Sequence, residues 1–503
     1  MPVVELPFTD GDYDALVPQL AQNSAVNMYP HTIRTNGVSQ TVMYPRNGFV
    51  YRNNGLSADG VYDCRGAVVI GSSLYETEMI GVIDTDVYRF DTGSSTDIGG
   101  INGTKRISMA HGGDYVAFCD GASGYTYEID AMPTSNTVSS ISDLDFTANG
   151  NPLFVTYMDG YFIWVTDESK FIISAINDPT SYNALDFSSA EYEPDGLTGC
   201  FTYQNQLFIC GTSTIEVFTN TGNADFPFER TGQFYDIGIL APHTVTKLGD
   251  AVYFMGSDGN KKQAIFRLVG NSLSRISNEH IERQINDTSS YAGLAAFLNS
   301  YRAWAYSAAG HDFVGFDLGS AYDLTYKPTL VWDEVEQKWH ERKLSSVGYC
   351  VSNVIYHDAK LYALMVGVST NGGVLCEIEP DTYSDLEFGG STFYPMSREV
   401  TMPPLVNNMQ PFSVSEIELV VGGTGGDKLG VGPPAQNETV ELWEAKDGAE
   451  TFTSLGTREI QSGDPSGRLV WRRLGRANQY VTYKFTHTGA YNTPFLKVVA
   501  NVQ

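Results

Sequence analysis

Seven times between Gly66 and Pro380 the chain repeats one pattern: two short apolar runs on either side of a turn rich in Gly, Asp, Asn or Ser. The clearest copy is QNQLFICGTSTIEVFTNTG at 204–222. Its relatives begin at Gly66 (GAVVIGSSLYE), Gly113 (GDYVAFCDGASGYTYEID), Asp159 (DGYFIWVTDESKFIISAIND), Gly249 (GDAVYFMGSDGNKKQAIFRL), Ser300 (SYRAWAYSAAGHDFVGFDLG) and Asp358 (DAKLYALMVGVSTNGGVLCEIEP). Successive starts are 47, 46, 45, 45, 51 and 58 residues apart. The turn residues tolerate positive φ or bond their own backbone, so each unit reads as a β-hairpin. A period near 45 residues holds one four-stranded sheet, which is apolar on both faces and unstable alone. Copies must therefore pack face to face, and a radial arrangement leaves only short, protected edges. The pattern predicts a β-propeller of six or seven blades. A string of β-sandwich domains is the competing architecture, and the even period without linkers argues against it.

Composition agrees with a mainly β protein. The chain has 503 residues, 42% hydrophobic and 18% charged, with 30 Tyr and 26 Phe, a mixture that suits pleated, half-buried surfaces. SNEHIERQIND, at 277–287, interrupts the strands as a short helix: Ser277 can cap it and Ile281 and Ile285 share a face. From Thr392 the repeat gives way to a Pro-rich junction, a Gly- and Pro-rich loop (TGGDKLGVGPPAQNE) and strands in TVELWEAKDG, GRLVWRRLGR and YVTYKFTHTG. This predicts a smaller C-terminal antiparallel, sandwich-like β domain. The expected division is an irregular N-terminal arm over 1–55, marked by Pro18, Pro30 and Pro45, a propeller over 56–391 and the C-terminal β domain over 392–503.

Against 31 Lys plus Arg stand 59 Asp plus Glu, a formal charge of -28, so the surface repels polyanions and sequence-specific DNA binding is not expected. MPVVELPFTDGDYDAL lacks the basic start and apolar core of a signal peptide, and no apolar run reaches the length of a membrane helix. Cys64, Cys119, Cys200, Cys210, Cys350 and Cys376 are scattered, without a CxxC pair, and are expected as buried free thiols of a reducing compartment.

Catalytic motifs are absent from the sequence. It has no sialidase-type Ser-x-Asp-x-Gly-x-Thr-Trp, no GxSxG, no HExxH and no Walker A loop. Asp84 and Asp86 lack the Gly and closing Glu of a calcium loop and read as a strand turn. The eight His residues are dispersed without metal-ligand spacing. Glu191 and Glu193 form a carboxylate pair of the kind a glycosidase needs, but 59 acidic residues make such pairs by chance. No catalytic residue, metal or cofactor is expected. One basic stretch stands out, GRLVWRRLGRANQY, with Arg468, Arg472, Arg473 and Arg476 around Trp471. In an unbroken strand Trp471 and Arg473 would face one way and Arg472 and Leu474 the other. Trp471, Arg472, Arg473 and Arg476 are the candidate contact to another subunit or an adaptor, since Arg is favoured in interface ion pairs.

Several stretches together resemble a known family. NSAVNMYP (23–30), RISMAHGGDYVAFCDG (106–121), EPDGLTGCFTYQNQLFICGTSTIEVFTNTG (193–222) and GRLVWRRLGRANQYVTYKF (467–485) resemble, in order, the tail accessory factor, or packaged DNA stabilization protein, of short-tailed bacteriophages (podoviruses). The resemblance implies a structural virion protein: a tail hub or nozzle, six copies forming a ring below the portal and its adaptor (head-to-tail connector) ring. Such a ring would extend the DNA channel, help retain packaged DNA, and dock a tail needle or plug and tailspikes or fibres. It implies no enzyme, residence in the virion tail and assembly in the host cytoplasm. The alternative from another class is a glycan-binding or glycan-hydrolysing β-propeller.

Overall fold

The computed structural model describes residues 3–8, 13–14, 22–35, 38–51, 64–72, 75–90, 95–103, 105–129, 137–189, 195–257, 262–289, 301–318, 329–344, 349–357, 359–367, 374–386, 393–422, 438–449, 451–460 and 467–503. Within them each sequence repeat becomes one four-stranded antiparallel blade. Blades 1 to 6 open on the strands Cys64–Ser72, Ser108–Gly112, Pro152–Met158, Leu197–Tyr203, Thr246–Leu248 and Arg302–Ala308. Blade 7 is Tyr349–His357, Lys360–Gly367 and Val374–Ile378, and its fourth strand is Phe49–Tyr51 from the other end of the chain. The opening strands pack side by side around an axis, with the turn Pro242–Thr244 wedged between blades 4 and 5. The ring closes where blade 7 meets blade 1.

Alternation along the strands drives this stacking. In blade 2, Val116 and Phe118 enter a cluster with Ile80 and Val82 of blade 1, while Ala117 and Cys119 enter one with Phe162 and Trp164 of blade 3. The same two-sided burial recurs at every seam. Seven apolar clusters separate seven blades, the last joining Leu364 and Leu375 of blade 7 to Met79 and Phe90 of blade 1. Each large side chain so buried contributes about 1.5–3 kcal/mol. The turns are equally regular: Asp159 and Gly160 (φ 51° and 92°), Gln204 and Asn205 (45° and 60°) and Ala309 and Gly310 (53° and 80°) join the first two strands of blades 3, 4 and 6 in left-handed pairs.

The helix is Glu279–Ser289, and Ile281 and Ile285 are fully buried between blades 5 and 6, as their spacing predicts. Its cap differs from the expected one. Asn278 Oδ1 accepts the Ile281 amide at 2.9 Å, while the Ser277 hydroxyl accepts the Ile265 amide of blade 5 at 3.0 Å.

The reading of an irregular N-terminal arm is corrected. Val3–Leu6, Tyr13–Asp14, Gln22–Val26, Met28–Thr35, Val38–Pro45 and Phe49–Tyr51 are strands. Pro30 is tolerated because Met28–Thr35 is an edge strand of its sheet. All but the last of these strands join the C-terminal strands in a sandwich. One sheet holds Val3–Leu6, Met28–Thr35, Val38–Pro45, Phe495–Val502, Phe412–Val421 and Arg468–Ala477; the facing one holds Gln22–Val26, Phe393–Thr401, Tyr480–Gly489, Glu438–Lys446 and Thr453–Ile460. Met28, Met43, Ile417, Trp471 and Phe485 lie in the core between them. A parallel bridge between Val26 and Glu341 runs the second sheet on into the outer strand of blade 6. The Gly- and Pro-rich loop expected at 424–438 lies almost wholly outside the described residues.

Candidate functional site

Two places gather charge in a way that packing does not require: the strand that carries the arginines, and the axis of the propeller. The strand Arg468–Ala477 pairs with Phe412–Val421, and its register slips between Glu416↔Arg472 and Val414↔Gly475. The extra residue is accommodated by Arg473 at φ 66° and Gly475 at φ 87°. This bulge overturns the alternation expected from the sequence. Leu469, Trp471 and Leu474 all enter the core, while Arg472, Arg473 and Arg476 are exposed. Trp471 is 1% exposed, donates its indole N–H to the Gly456 carbonyl at 2.8 Å and packs with its ring 5.7 Å from that of Phe485 at a tilt of 51°, so it supports the patch from beneath, out of reach of a partner. Arg468 pairs with both oxygens of Glu418, and Arg472 Nε lies 2.7 Å from Glu416 Oε2. Arg473 and Arg476 have no carboxylate partner among the described residues.

On the propeller axis a cavity of about 690 Å³ is lined by the opening strands. Arg106, just before the opening strand of blade 2, donates to Ser352 Oγ at 3.1 Å and Asn353 Oδ1 at 3.5 Å in blade 7. His243 sits on the Pro242–Thr244 turn with its ring 5.4 Å from that of Phe154. Burial, and then the charges of Arg106 and Arg302, hold its imidazole well below the ordinary histidine range. Lys247, on the opening strand of blade 5, reaches Thr202 Oγ1 at 3.4 Å, and burial lowers its ammonium pKa. These residues carry no motif, since they are contributed by blades 2 and 5 and by the turn before blade 5; only the closed ring brings them together.

The structure also collects histidines that the sequence scatters. His31 Nδ1 lies 2.7 Å from His311 Nε2, and His311 Nδ1 lies 2.6 Å from Asp333 Oδ2. Asp333 in turn accepts the amides of Val335 and Glu336, and Glu336 takes both the amide and hydroxyl of Thr32. The chain of bonds pins the strand Met28–Thr35 to blade 6, a structural use of these groups. Asp84 occupies a left-handed turn position at φ 54°, and its carbonyl accepts from Arg65. Glu191 and Glu193 lie outside the described residues. Among the described residues no group of three His, Cys, Asp or Glu could hold a metal ion, and no helix is long and apolar enough to cross a membrane. Cys64, Cys119, Cys200, Cys210 and Cys376 are buried free thiols; the side chain of Cys350 is not among those described.

Comparison with known proteins gives a family. The one described as Bacteriophage P22 Gp10, beta-propeller, matches residues 4–309. The chain belongs to this family. Its match begins in the sandwich strands and ends in the first hairpin of blade 6, so the family signature takes in both units. Among curated proteins, the tail hub protein gp10 of Salmonella phage P22 is 28% identical over 201 residues, 38% of this chain and 42% of that protein; the chain thus spans less than half the length of the relative it matches. Solved structures similar to it include the WD40 beta propeller domain of Doa1 (12% identity, 66% of this chain and 97% of that one, TM-score 0.39) and BamB from Moraxella catarrhalis (10%, 63% and 97%, 0.36). Scores of this size carry no argument about function.

Proposed function

We propose that the chain is a structural subunit of the tail of a short-tailed phage, the hub or nozzle that extends the DNA channel below the portal and adaptor. The observation that carries this reading is membership of the P22 Gp10 family across both propeller and sandwich, with a tail hub protein among its relatives. Six copies form a ring, with the seven-bladed propeller as a stiff wedge and the sandwich of N-terminal and C-terminal strands as a docking platform. The ring helps retain packaged DNA and receives the needle or plug and the tailspikes or fibres. DNA passes through without sequence-specific binding. A charge of -28 per copy supports this, because an acidic lumen repels phosphate and lets DNA slide; an assembled ring with a neutral or basic lumen would count against it. The protein acts in the virion tail after assembly in the host cytoplasm, and no enzymatic activity is assigned to it.

Arg473 and Arg476, with Arg472 beside them, are the proposed contact to an acidic face of a neighbouring subunit or of the adaptor. Holding a non-glycine residue at φ 66° costs about 1–2 kcal/mol, and here the outcome is a pair of exposed guanidinium groups. Native mass spectrometry of the purified chain, alone and with an adaptor–portal complex, tests the whole reading. A sixfold species formed on that complex is expected. A chain that stays monomeric and ignores the complex refutes it.

A further inference from the structure

Two faces of the molecule carry exposed groups of opposite charge. The first is the outer edge of blade 3, formed by its last strand Asp178–Ser189 and by the helical turn Leu144–Thr147 that lies on it. Asp143 Oδ2 accepts the Tyr182 amide at 3.3 Å and Phe146 packs on the Tyr182 ring, which fixes the turn with Leu144 facing out. Further along, the register slips between Tyr182 and Phe187, and residues 183–186 stand opposite Ile173 alone. The bulge blunts the edge against strand addition, yet it leaves Leu185 outside. Leu144 and Leu185 are the two most exposed large apolar side chains among the described residues, 81% and 77%, and Phe187 is exposed as well. Carboxylates border them: Asp145, Asp186, and Glu229 on the outer strand of blade 4, which Arg230 ties to this one by donating to the Ser189 carbonyl at 2.7 Å. These three carboxylates form no ion pair among the described residues, while the cations beside them are engaged, Lys170 by Glu168 at 3.0 Å and Arg230 by Glu216 at 3.1 Å. Burial raises the Asp186 carboxyl above its ordinary value, a penalty that an incoming cation would offset.

The second face is the end of the sandwich that carries Arg473 and Arg476. Arg476 pairs with Ser413 and Ala477 with Phe412, so the turn at 407–411 lies beside the arginines, and Val406 and Met409 are exposed there. The sandwich joins the propeller at blades 6 and 7, through the Val26–Glu341 bridge and the strand Phe49–Tyr51. In a ring of seven, blade 3 is the blade opposite that junction, so the two faces lie on opposite sides of one copy. We propose that the outer edge of blade 3 receives the arginine face of a second copy of this chain, with Leu144, Leu185 and Phe187 against Val406 and Met409, and Arg473 and Arg476 paired with Asp145, Asp186 and Glu229. The inference rests on the reading of Arg473 and Arg476 as contact residues and names what they meet. Charge selects this occupant: with 59 acidic against 31 basic residues, most of a second copy repels the edge of blade 3, whereas the arginine face attracts it. An apolar centre with a charged border is the anatomy of a specific interface. Because the two faces differ, the contact repeats head to tail and closes into a ring where the rotation permits.

Sedimentation equilibrium of the full chain at low ionic strength, up to about 100 μM, tests it. Association beyond the dimer is expected, with a dissociation constant on the order of 10 μM that weakens about tenfold in high salt. Leu185→Ser with Asp186→Lys disables one face, and Arg473→Glu with Arg476→Glu the other. Each variant alone should stay monomeric at an unchanged melting temperature, since none of the four side chains is buried. Mixed together, the two variants should form a 1:1 dimer and nothing larger, because each supplies one intact face. Asp145→Lys with Glu229→Lys, which keeps the apolar centre, should weaken association of the otherwise unchanged chain about tenfold. A parent chain that stays monomeric at the highest concentration overturns the proposal. So does a mixture that stays monomeric or grows past the dimer, or a blade 3 variant that associates like the parent. The tail-hub reading fails separately: a parent that associates in this way but ignores an adaptor–portal complex sinks that reading and leaves this one standing, whereas a sixfold ring formed equally well on the complex by Leu185→Ser with Asp186→Lys does the reverse.

Discussion

Asp385→Ala should open the propeller at its seam. Blade 7 is completed by Phe49–Tyr51, and the joint that delivers this strand is a buried ion pair: Arg46 Nη1 and Nη2 lie 3.0 and 2.7 Å from the two oxygens of Asp385, with side-chain exposures of 2% and 5%. Arg46 also donates to Asn27 Oδ1 at 2.8 Å and to the Lys343 carbonyl at 3.1 Å, and Asp385 accepts the Phe49 amide at 3.3 Å. One guanidinium thus ties the sandwich, the end of blade 6 and blade 7 at a single point. Removing the carboxylate leaves the guanidinium with neutral acceptors only, in a site without water access, at a cost of about 3–5 kcal/mol. That is a large part of the roughly 5–15 kcal/mol that holds a domain together. Because propeller and sandwich need not unfold in one step, the effect is read by hydrogen exchange at the amides of Phe49–Tyr51 and Val374–Ile378. Their opening free energy should fall by the stated amount, while the interior strands of blade 3 stay protected. The double change Arg46→Met with Asp385→Leu should recover most of the loss, since a packed apolar pair replaces a buried ion pair at little cost. Protection within about 1 kcal/mol of the parent in Asp385→Ala would refute the argument.

Further outcomes follow from the same geometry. Arg473→Glu combined with Arg476→Glu should change stability by no more than about 0.5 kcal/mol, because both groups are exposed, yet abolish ring assembly in native mass spectrometry; loss of folding with assembly intact in the soluble fraction would argue the reverse. Burial alone would raise the Glu438 carboxyl, but the hydrogen bond and charge of His487, with Arg398 and Thr493, hold it below its ordinary value. Its folded pKa is depressed, so its contribution is present above the unfolded value of about 4.3 and disappears as pH falls through the lowered one. Glu438→Gln should therefore flatten the acid limb of a denaturant-versus-pH series and cost about 1.5–3 kcal/mol at neutral pH. Ala309→Gly, at φ 53° in the first turn of blade 6, should raise the unfolding midpoint by up to about 1 kcal/mol of stability, measured by urea titration.

The propeller was legible because its information is local. Each blade is announced by a hairpin whose alternation and turn residues lie within 25 or so positions of one another. The seven hairpins fall one to a blade, those at Gly66 and Ser300 marking the first and second strands and the others the second and third; the early mark in blade 6 lengthens the interval after Ser300, while the helix Glu279–Ser289 lies within the 51 residues before it. The N-terminal strands were illegible for the opposite reason. Val3–Leu6 pairs with Phe495–Val502, and Phe49–Tyr51 with Val374–Ile378, and nothing near them in sequence indicates such partners. Alternation also failed at Arg473–Gly475, where two left-handed residues turn Arg473 out to solvent and Leu474 into the core. The residues of the axial cavity were silent because Arg106, His243 and Lys247 meet only through ring closure.

Chain order gives the shared closure a consequence for biosynthesis. Phe49–Tyr51 leaves the ribosome early, yet its partner Val374–Ile378 follows on the order of tens of seconds later, and Phe495–Val502, the partner of Val3–Leu6, later still. Until then neither unit can be completed, and the earliest strands wait as open edges. A chain without Phe495–Val502 lacks the strand that joins Phe412–Val421, and through it the arginine strand, to Val38–Pro45 and Val3–Leu6. The sheet that carries the arginines is thus completed only after every blade of the propeller has been made.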